Sequence, residues 1–255
     1  MGWPVLKRRV IPLELLRNRR LVKTVRFGAS RDVGDPVKSS QVYSDQDADE
    51  LMILNIDGPS ANFREFGQIV NRIASCCFVP LSVGGGIRSE DHADALFIAG
   101  ADKVVVNTVA YDQPHVVTAI ANKYGSQAVV AGIDYSGSPH RPGLLSSGGR
   151  KVEKVSVGEH LTNLKNAGAG EILLQSVDRD GLMEGYDLTL LREVAAQISM
   201  PLIVAGGAGG FTDLVNAFDA GADAAACGSL FNFGDNNPLR AKAFLKNRGV
   251  LVKQT

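Results

Sequence analysis

The amino-acid sequence is poor in cysteine, carries no net charge and contains no long apolar run. Only three of its 255 residues are cysteine, and Cys76 and Cys77 lie side by side in an apolar stretch, which predicts buried structural thiols rather than a disulfide or a metal site. Lys plus Arg and Asp plus Glu both number 27, so the overall charge favours neither nucleic acid nor an anionic membrane as a ligand. Any anion must therefore be bound by a local site.

Hydropathy excludes a membrane-spanning helix. No apolar run reaches the roughly 20 residues that such a helix needs, and residues 1–16 contain charges and Pro4 but no small-residue cleavage site. We therefore expect a cytoplasmic protein. With 45% hydrophobic and 21% charged residues, the composition is that of a soluble globular protein, and the length allows one α/β barrel or two smaller domains.

Two stretches of the chain repeat one another at a constant offset of 121 residues. Residues 81–108 read LSVGGGIRSEDHADALFIAGADKVVVNT, and residues 202–229 read LIVAGGAGGFTDLVNAFDAGADAAACGS. In both, a short apolar run meets glycines, a helical pattern follows, and Ala-Gly-Ala-Asp precedes a second apolar run. The same offset carries Glu50 onto Glu171 without a gap. The repeat predicts two similar halves, about residues 8–125 and 126–250, within one domain spanning residues 1–255.

Each half alternates short β-rich runs with helical stretches, which is the pattern of βα units around a parallel sheet. Eight such units in two similar halves predict an α/β fold, a single (β/α)8 TIM barrel made of two half-barrels. A doubly wound open sheet is the alternative, but it gives no reason for the repeat. The glycine- and serine-rich segment 136–149 is expected to be a long loop. The predicted strands are 9–13, 51–56, 80–83, 103–106, 128–133, 172–177, 202–205 and 224–227, and the predicted helices include 63–74, 92–99, 115–123, 157–167 and 188–198.

Glycine pairs follow two of these strands at equivalent positions of the repeat. In such a barrel the functional site lies at the carboxyl ends of the strands, where glycine lets the backbone approach a phosphate and free N–H groups at a helix start complement its charge. One glycine turn is often only structural, but two in symmetric halves predict two opposed phosphate sites and a substrate with an anionic group at each end. The predicted phosphate-binding residues are Gly85, Gly86, Asn107 and Thr108 in one half, and Asp180, Gly181, Gly206, Gly207, Gly228 and Ser229 in the other.

Asp134 ends the fifth predicted strand, in VVAGID. It is predicted to point into the mouth of the barrel and act as a general acid or base, although a helix cap or an ion-pair partner is the structural alternative. Asp180 is expected to contact substrate rather than to catalyse. None of the four histidines ends a strand, so we expect surface or loop positions for His92, His115, His140 and His160.

Seven motifs together resemble one family over nearly the whole chain, from residue 8 to residue 250. They are GDP (34–36), VGGGIRS, GADKVVVNT, GSQAVVAGID, GAGEILLQSVDRDG, GGAG and GADAAACGSLF. The chain closely resembles the HisF family, the cyclase subunits of imidazole glycerol phosphate synthase. The resemblance implies a lyase-type synthase subunit that receives ammonia from a HisH-like glutaminase in a heterodimer. It also implies that the ammonia is added to a substrate bearing two phosphates, without metal or organic cofactor.

The resemblance also implies roles for individual residues. It carries a catalytic aspartate onto Asp134 and a mobile-loop lysine onto Lys23. Asp102 matches a position that faces the glutaminase. The family gates its ammonia entrance at the bottom of the barrel with four charged residues, whose structural role would be simply to plug that end. All four are matched here, by Arg9, Glu50, Lys103 and Glu171, and the family's phosphate ligands are matched by Gly86, Asn107, Asp180, Gly181, Gly207 and Ser229.

The first strand departs from the family. The family has a catalytic aspartate in Cys-Leu-Asp-Val-Lys, whereas this chain has Leu15 at that position, and a leucine cannot transfer a proton. Glu14 is expected to face the helices because side chains alternate along a strand, although a bulge could redirect it. Three further residues predicted at the mouth also differ from those usual in the family: Asn55, Gln175 and Ala205.

Two enzymatic functions and one non-enzymatic function fit this pattern. The altered strand also resembles a divergent HisF-like branch found with surface-polysaccharide (O-antigen, lipopolysaccharide) genes. Its members are thought to act with a HisH-like glutaminase and a third, synthetase-like protein, and to turn an acetamido group of an activated sugar into an acetamidino group. We expect this function first and the imidazole glycerol phosphate cyclase of histidine biosynthesis second. An ammonia conduit or scaffold for a third protein is the remaining alternative.

Overall fold

A computed structural model describes residues 7–58 and 62–253 of the chain; residues 1–6, 59–61 and 254–255 of the predicted domain lie outside the described residues. Twelve strands are found in the described part of the chain. They are β1 (Arg9–Arg17), β2 (Arg20–Lys23), β3 (Arg31–Gly34), β4 (Leu51–Asn55), β5 (Leu81–Gly84), β6 (Lys103–Val106), β7 (Val129–Ser136), β8 (Gly143–Ser146), β9 (Lys151–Val152), β10 (Glu171–Ser176), β11 (Leu202–Ala205) and β12 (Ala224–Cys227).

Eight of these strands form a closed parallel barrel. Their order is β10-β11-β12-β1-β4-β5-β6-β7, and the pairing of β7 with β10 closes the ring. Helices follow the strands along the chain and cover the barrel, so the predicted (β/α)8 architecture is confirmed. The helices are α1 (Pro36–Asp45), α2 (Phe63–Ala74), α3 (Glu90–Ile98), α4 (Thr108–Asp112), α5 (Pro114–Tyr124), α6 (Val157–Asn166), α7 (Leu188–Ala195), α8 (Phe211–Asp219), α9 (Ser229–Asn232) and α10 (Pro238–Asn247).

Side-chain alternation divides the core of the barrel into two parts. A large apolar cluster lies between the strands and the helices. A smaller one fills the inside of the barrel, and it draws its side chains from every second residue of the strands. Its buried members are Ile11, Leu13, Met52, Val105, Val130, Leu173, Ile203, Ala205, Ala224 and Ala226. Residues in phase with this row face the inside, and residues out of phase face the helices.

Polar residues just before the helices fix where many of them begin. The backbone N–H groups of the first helical turn have no acceptor within the helix. The side chains at these positions accept hydrogen bonds from those groups. A cap of this kind is typically worth about 1 kcal/mol. The capping residues are Asp35 for α1, Asn62 for α2, Ser89 for α3, Ser156 for α6, Asp187 for α7 and Asn237 for α10.

Two strands are longer than predicted because each continues into an antiparallel hairpin. β1 extends to Arg17 and pairs with β2 across a turn in which Asn18 and Arg19 have φ of 50° and 63°, the left-handed geometry of a two-residue hairpin. β7 extends to Ser136 and pairs with β8. The segment 136–149, predicted to be a loop, therefore contains a strand.

The histidine prediction is wrong for His160. It lies on α6, is 2% exposed and stacks on Tyr111 with ring centroids 3.9 Å apart. A position away from the strand ends does not imply exposure here, because the helical period of α6 turns His160 inward together with Leu161 and Leu164. The thiol prediction is confirmed for Cys77 and Cys227, which are free and buried, while Cys76 is free and half-buried. Among the described residues no helix has the length and apolar character needed to cross a bilayer.

Candidate active site and barrel floor

The inward-facing row of β1 carries Leu15 into the mouth, the end of the barrel where the strands finish. Leu13 and Leu15 both line a narrow cavity there, and Leu15 is 7% exposed. Glu14 points the other way, toward α1, where its Oε2 accepts a hydrogen bond from Ser40 Oγ at 2.5 Å. Burial raises the pKa of Glu14. The expectation that Glu14 faces the helices is confirmed, so it does not replace the missing carboxylate at position 15.

Asp134 occupies β7 at the same end of the barrel. It is in phase with Val130, a member of the interior cluster, and its neighbour across the strand pair is Gln175 on β10. Burial, reinforced by the negative charge of Asp180, raises the pKa of Asp134 to about 7. A carboxyl group with a pKa near neutrality can both take up and release a proton during a reaction. This chemistry is what the sequence predicts for Asp134.

Lys23 ends strand β2 rather than lying in an irregular loop. Its side chain is 6% exposed, and its Nζ donates a hydrogen bond to the carbonyl oxygen of Leu13 at 2.7 Å. Burial lowers the pKa of Lys23 to about 8, against the opposing influence of Glu14 and Asp180. The hairpin between β1 and β2 thus delivers a cation to the mouth beside Leu15.

The cavity at the mouth gathers the residues predicted for the second phosphate site. It has a volume of about 30 Å³. Gly207 has a φ of +121°, and a Cβ there would lie 2.3 Å from the carbonyl oxygen of Gly185, so the loop takes this path only with glycine. Thr24 Oγ1 donates a hydrogen bond to Asp180 at 2.9 Å. The predicted residues that line the cavity are Lys23, Asp180, Gly181, Gly206, Gly207, Gly228 and Ser229.

The first predicted phosphate site lies at the ends of the paired strands β5 and β6. Gly85 has a φ of +99°, and a Cβ there would lie 1.9 Å from the carbonyl oxygen of Asn55. Gly86 follows it with a φ of +81°. Asn107 precedes α4, and its Oδ1 is buried without a hydrogen-bond partner. Thr108 Oγ1 accepts a hydrogen bond from the backbone N–H of Ser147 at 2.9 Å. The fold therefore brings the two segments of this predicted site together.

The barrel floor, the end where the strands begin, is closed by four alternating charges. Arg9 contacts Glu50 at 2.8 Å and Glu171 at 2.7 Å, and Lys103 contacts each of the same two carboxylates at 2.8 Å. We call these four residues the floor quartet. Burial alone would raise the pKa of Glu171, but Arg9 and Lys103 hold it below its usual value.

A serine completes the hydrogen bonding of the floor quartet. Ser82 is fully buried, and its hydroxyl donates to Glu50 Oε1 at 2.5 Å. Sequence reasoning missed it, although Ser82 is the inward-facing position of β5 at the level of the quartet and the two-residue period could have found it. Thr24 was also missed, and no sequence signal marks it. Removing one member of a buried ion pair such as those of the floor quartet usually lowers the free energy of unfolding by about 3 to 5 kcal/mol, because it leaves an uncompensated charge.

The described residues contain no group of three or more His, Cys, Asp or Glu side chains placed to hold a metal ion. The mouth presents two carboxyl groups whose pKa burial raises, Asp134 and Asp180, one buried ammonium and two sets of glycine-rich strand ends.

Comparison with known proteins agrees with this arrangement. Residues 9–237 match the family described as histidine biosynthesis protein. The chain is 40% identical over 246 residues to the imidazole glycerol phosphate synthase subunit HisF of Streptomyces griseus, and the match covers 96% of this chain and 98% of that protein. The barrel, the glycine pairs at its mouth and this extent of identity together place the chain in the histidine biosynthesis protein family, as a HisF-like synthase subunit.

Proposed function

We propose that the chain is the ammonia-using subunit of a two-protein synthase and that it acts on a phosphorylated substrate held at the barrel mouth. The observation that carries the proposal is the polarity of the barrel. Asp134 and Lys23 lie with the glycine-rich strand ends at one end, and the floor quartet closes the other. A reacting site and a charged entrance at opposite ends of one barrel fit a small second reactant that arrives from below.

The two predicted phosphate sites would hold the substrate across the mouth. Backbone N–H groups at glycine-rich strand ends suit phosphate oxygens, and Lys23 adds a positive charge to the site near Gly207. The site near Gly86 offers the side-chain amide of Asn107, whose Nδ2 is a donor suited to a phosphate oxygen and here donates to the carbonyl oxygen of Leu145 at 3.4 Å. We assign phosphate binding to Gly85, Gly86, Asn107, Thr108, Asp180, Gly181, Gly206, Gly207, Gly228 and Ser229.

Ammonia would enter through the floor quartet from a HisH-like glutaminase. Phe78 lies between α2 and β5 and is 92% exposed, and Ile98 is the last residue of α3, before β6, and is 83% exposed. Two large apolar side chains this exposed, each just before one of two neighbouring strands, are what an interface with a partner would cover. This face therefore suits a glutaminase partner, and Asp102 lies on the same segment as Ile98.

For the reaction itself, sequence similarity favours imidazole glycerol phosphate formation. The relative from Streptomyces griseus, which matches nearly the whole chain, is named for that synthase. This supports the histidine-pathway function over the acetamidino-sugar reaction that the first strand alone suggests. Asp134 would move protons on and off the substrate after ammonia has been added, since its pKa of about 7 suits both directions.

One observation keeps acetamidino-sugar formation as a second candidate. Leu15 faces the mouth and Glu14 does not, so the described residues place no second carboxyl group on β1 where the family has its aspartate. A reaction that needs a single acid-base group at the mouth would tolerate this change. A conduit or scaffold function for a third protein would tolerate the loss of Asp134 as well.

Glu50→Ala tests the proposed delivery of ammonia. Without Glu50, both cations of the floor quartet, Arg9 and Lys103, lose one of their two partners and the entrance is disturbed. Turnover driven by glutamine and the partner should therefore fall more than turnover driven by ammonium salts. Product formation would be measured with both nitrogen sources, using the histidine-pathway substrate and an acetamido nucleotide sugar in parallel. Equal losses with the two sources would reduce the quartet to a stabilising plug, and the substrate that turns over identifies the reaction.

A further inference from the structure

Three aspartates tie neighbouring strands together at the floor. Each stands one or two residues before a strand, and its carboxylate accepts a hydrogen bond from a backbone N–H at the start of an adjacent strand. We call this arrangement a strut. Asp49 accepts from Val10 at 2.8 Å, Asp102 from Leu81 at 2.8 Å and Asp223 from Leu202 at 3.0 Å. In each strut the aspartate N–H also donates to the carbonyl oxygen of the same residue. The struts therefore fix strand register at the level of the floor quartet.

The Asp49 strut differs from the other two because a buried cation holds it. Lys242 on α10 is 4% exposed, and its Nζ donates to Asp49 Oδ1 at 3.1 Å, to the carbonyl oxygen of Asp47 at 3.0 Å and to the carboxylate of Asp47. All three donors of the ammonium are used. Asp102 is exposed, and the Arg8 side chain that pairs with Asp223 is 30% exposed. Among the described struts, only that of Asp49 carries a fully engaged buried cation.

The Asp49 strut is also the one that joins two members of the floor quartet. Val10 follows Arg9, and Asp49 precedes Glu50. The hydrogen bond from Val10 to the Asp49 carboxylate therefore sets the relative position of Arg9 and Glu50 along the barrel axis, and their side chains meet at 2.8 Å. Burying an ion pair is costly unless its geometry is well satisfied, so the presence of a buried pair is weak evidence for added stability and directs attention to the arrangement that it holds. The cation thus stands where the alignment of the quartet is determined.

We propose that Lys242 is a positioning residue for the floor quartet. It holds Asp49 so that Arg9 and Glu50 keep the spacing through which nitrogen from the partner reaches the mouth. The inference rests on the proposed function, because it assigns to the quartet the control of ammonia passage. Lys242 itself touches no substrate and acts through Asp49.

The test is Lys242→Met in the complex of the full chain with a HisH-like glutaminase. The measurement is the ratio of glutamine-driven to ammonium-driven turnover, together with the glutamate released per product formed. We expect the ratio to fall about 2- to 10-fold, the lower part of the range of coupling within one ion-pair network, and glutamate release per product to rise. Lost stability alone would lower both activities together. Arg8→Met, which removes the cation from the Asp223 strut, is the matched control and should leave the ratio unchanged.

The outcomes separate the two levels of the proposal. An unchanged ratio in Lys242→Met, or an equal fall in Arg8→Met, overturns the positioning role while leaving the proposed function intact. If the unmodified complex makes no product from glutamine, the proposed function falls and the inference falls with it. If Lys242→Met does not fold, Asp47→Asn decides in its place. It keeps the ammonium and Asp49 but removes one charge partner, so the ratio should fall by a smaller factor, and an unchanged ratio refutes the role.

Discussion

Leu15→Asp is the substitution that distinguishes the two candidate reactions. Sequence similarity favours imidazole formation, whereas Leu15 stands where the family has a catalytic carboxyl group. A positioned acid-base group contributes about 10² to 10⁴ in rate, so with Asp134 alone we expect the unmodified chain to cyclise the histidine-pathway substrate at least about 100-fold more slowly than a family member that has the aspartate. Such a factor corresponds to about 2.7 kcal/mol of barrier. Leu15→Asp should recover part of it.

The recovered activity will be limited by the cost of the new carboxyl group. Leu15 is 7% exposed, and replacing it sacrifices about 1.5 to 3 kcal/mol of apolar burial, a loss that lowers the melting temperature of a domain of this size by roughly 3 to 12 °C. Leu15→Asn is the matched control because it has nearly the same shape and loses the same burial but has no titrating proton. The difference between the two variants isolates the carboxyl group.

The assay is turnover of the histidine-pathway substrate with ammonium salts, below the melting temperature of each variant. We expect Leu15→Asp to exceed Leu15→Asn by about 10-fold or more. Equal rates in the two variants would show that position 15 takes no part in proton transfer. Full cyclase activity in the unmodified chain would refute the reasoning from Leu15 altogether and leave histidine biosynthesis as the function.

Three further predictions concern the mouth and the floor. Because burial raises the pKa of Asp134 to about 7, this group binds its proton more tightly in the folded protein and costs stability above that pKa but not below its unfolded value of about 3.9. Asp134→Asn should therefore raise the melting temperature near pH 8 and not near pH 4; the same gain at both pH values would contradict this. Crystals grown in sulfate should show anions about 20 to 25 Å apart, near Gly86 and near Gly207, and ordered anions at neither place would count against two phosphate sites. Phe78→Asp should weaken association with the glutaminase at least about 10-fold, as loss of an interface anchor does, while ammonium-driven turnover stays unchanged; undiminished association in a titration would remove Phe78 from the interface.

The fold was predictable because its signals are local and repeated. Short apolar runs at a constant offset specify strands, and the two-residue period then assigns each side chain to the inside or to the helices. This rule placed Leu15 and Asp134 at the mouth and turned Glu14 away. It failed where the chain continued an element beyond its apolar run, as at Arg17 and Ser136, because hairpin pairing is a contact between segments that local hydropathy does not record.

The site was less predictable than the fold for the same physical reason. The role of the floor quartet was predicted only through the family resemblance, although the repeat already paired Glu50 with Glu171, and the contacts of the quartet depend on four strands meeting in one ring. Thr24 meets Asp180 across 156 residues of sequence, and Lys242 meets Asp49 across 193. No pattern within either segment indicates its partner, so such contacts emerge only when the ring is closed.

The two ends of the described chain lie close together, which bears on how the sequence could be rearranged. The backbone N–H of Arg8 donates to the carbonyl oxygen of Leu251 at 2.7 Å, and Arg8 forms an isolated parallel β-bridge with Val252. A short linker could therefore join these residues, and new termini could be opened at Ser126, which is exposed between the two halves. Such a circular permutant would carry β7 to β12 ahead of β1 to β6 and still form every strand pair of the barrel. The order of the strands around the closed barrel does not depend on where the chain is cut. The order in which the two halves are translated is therefore set by the gene and not by the fold.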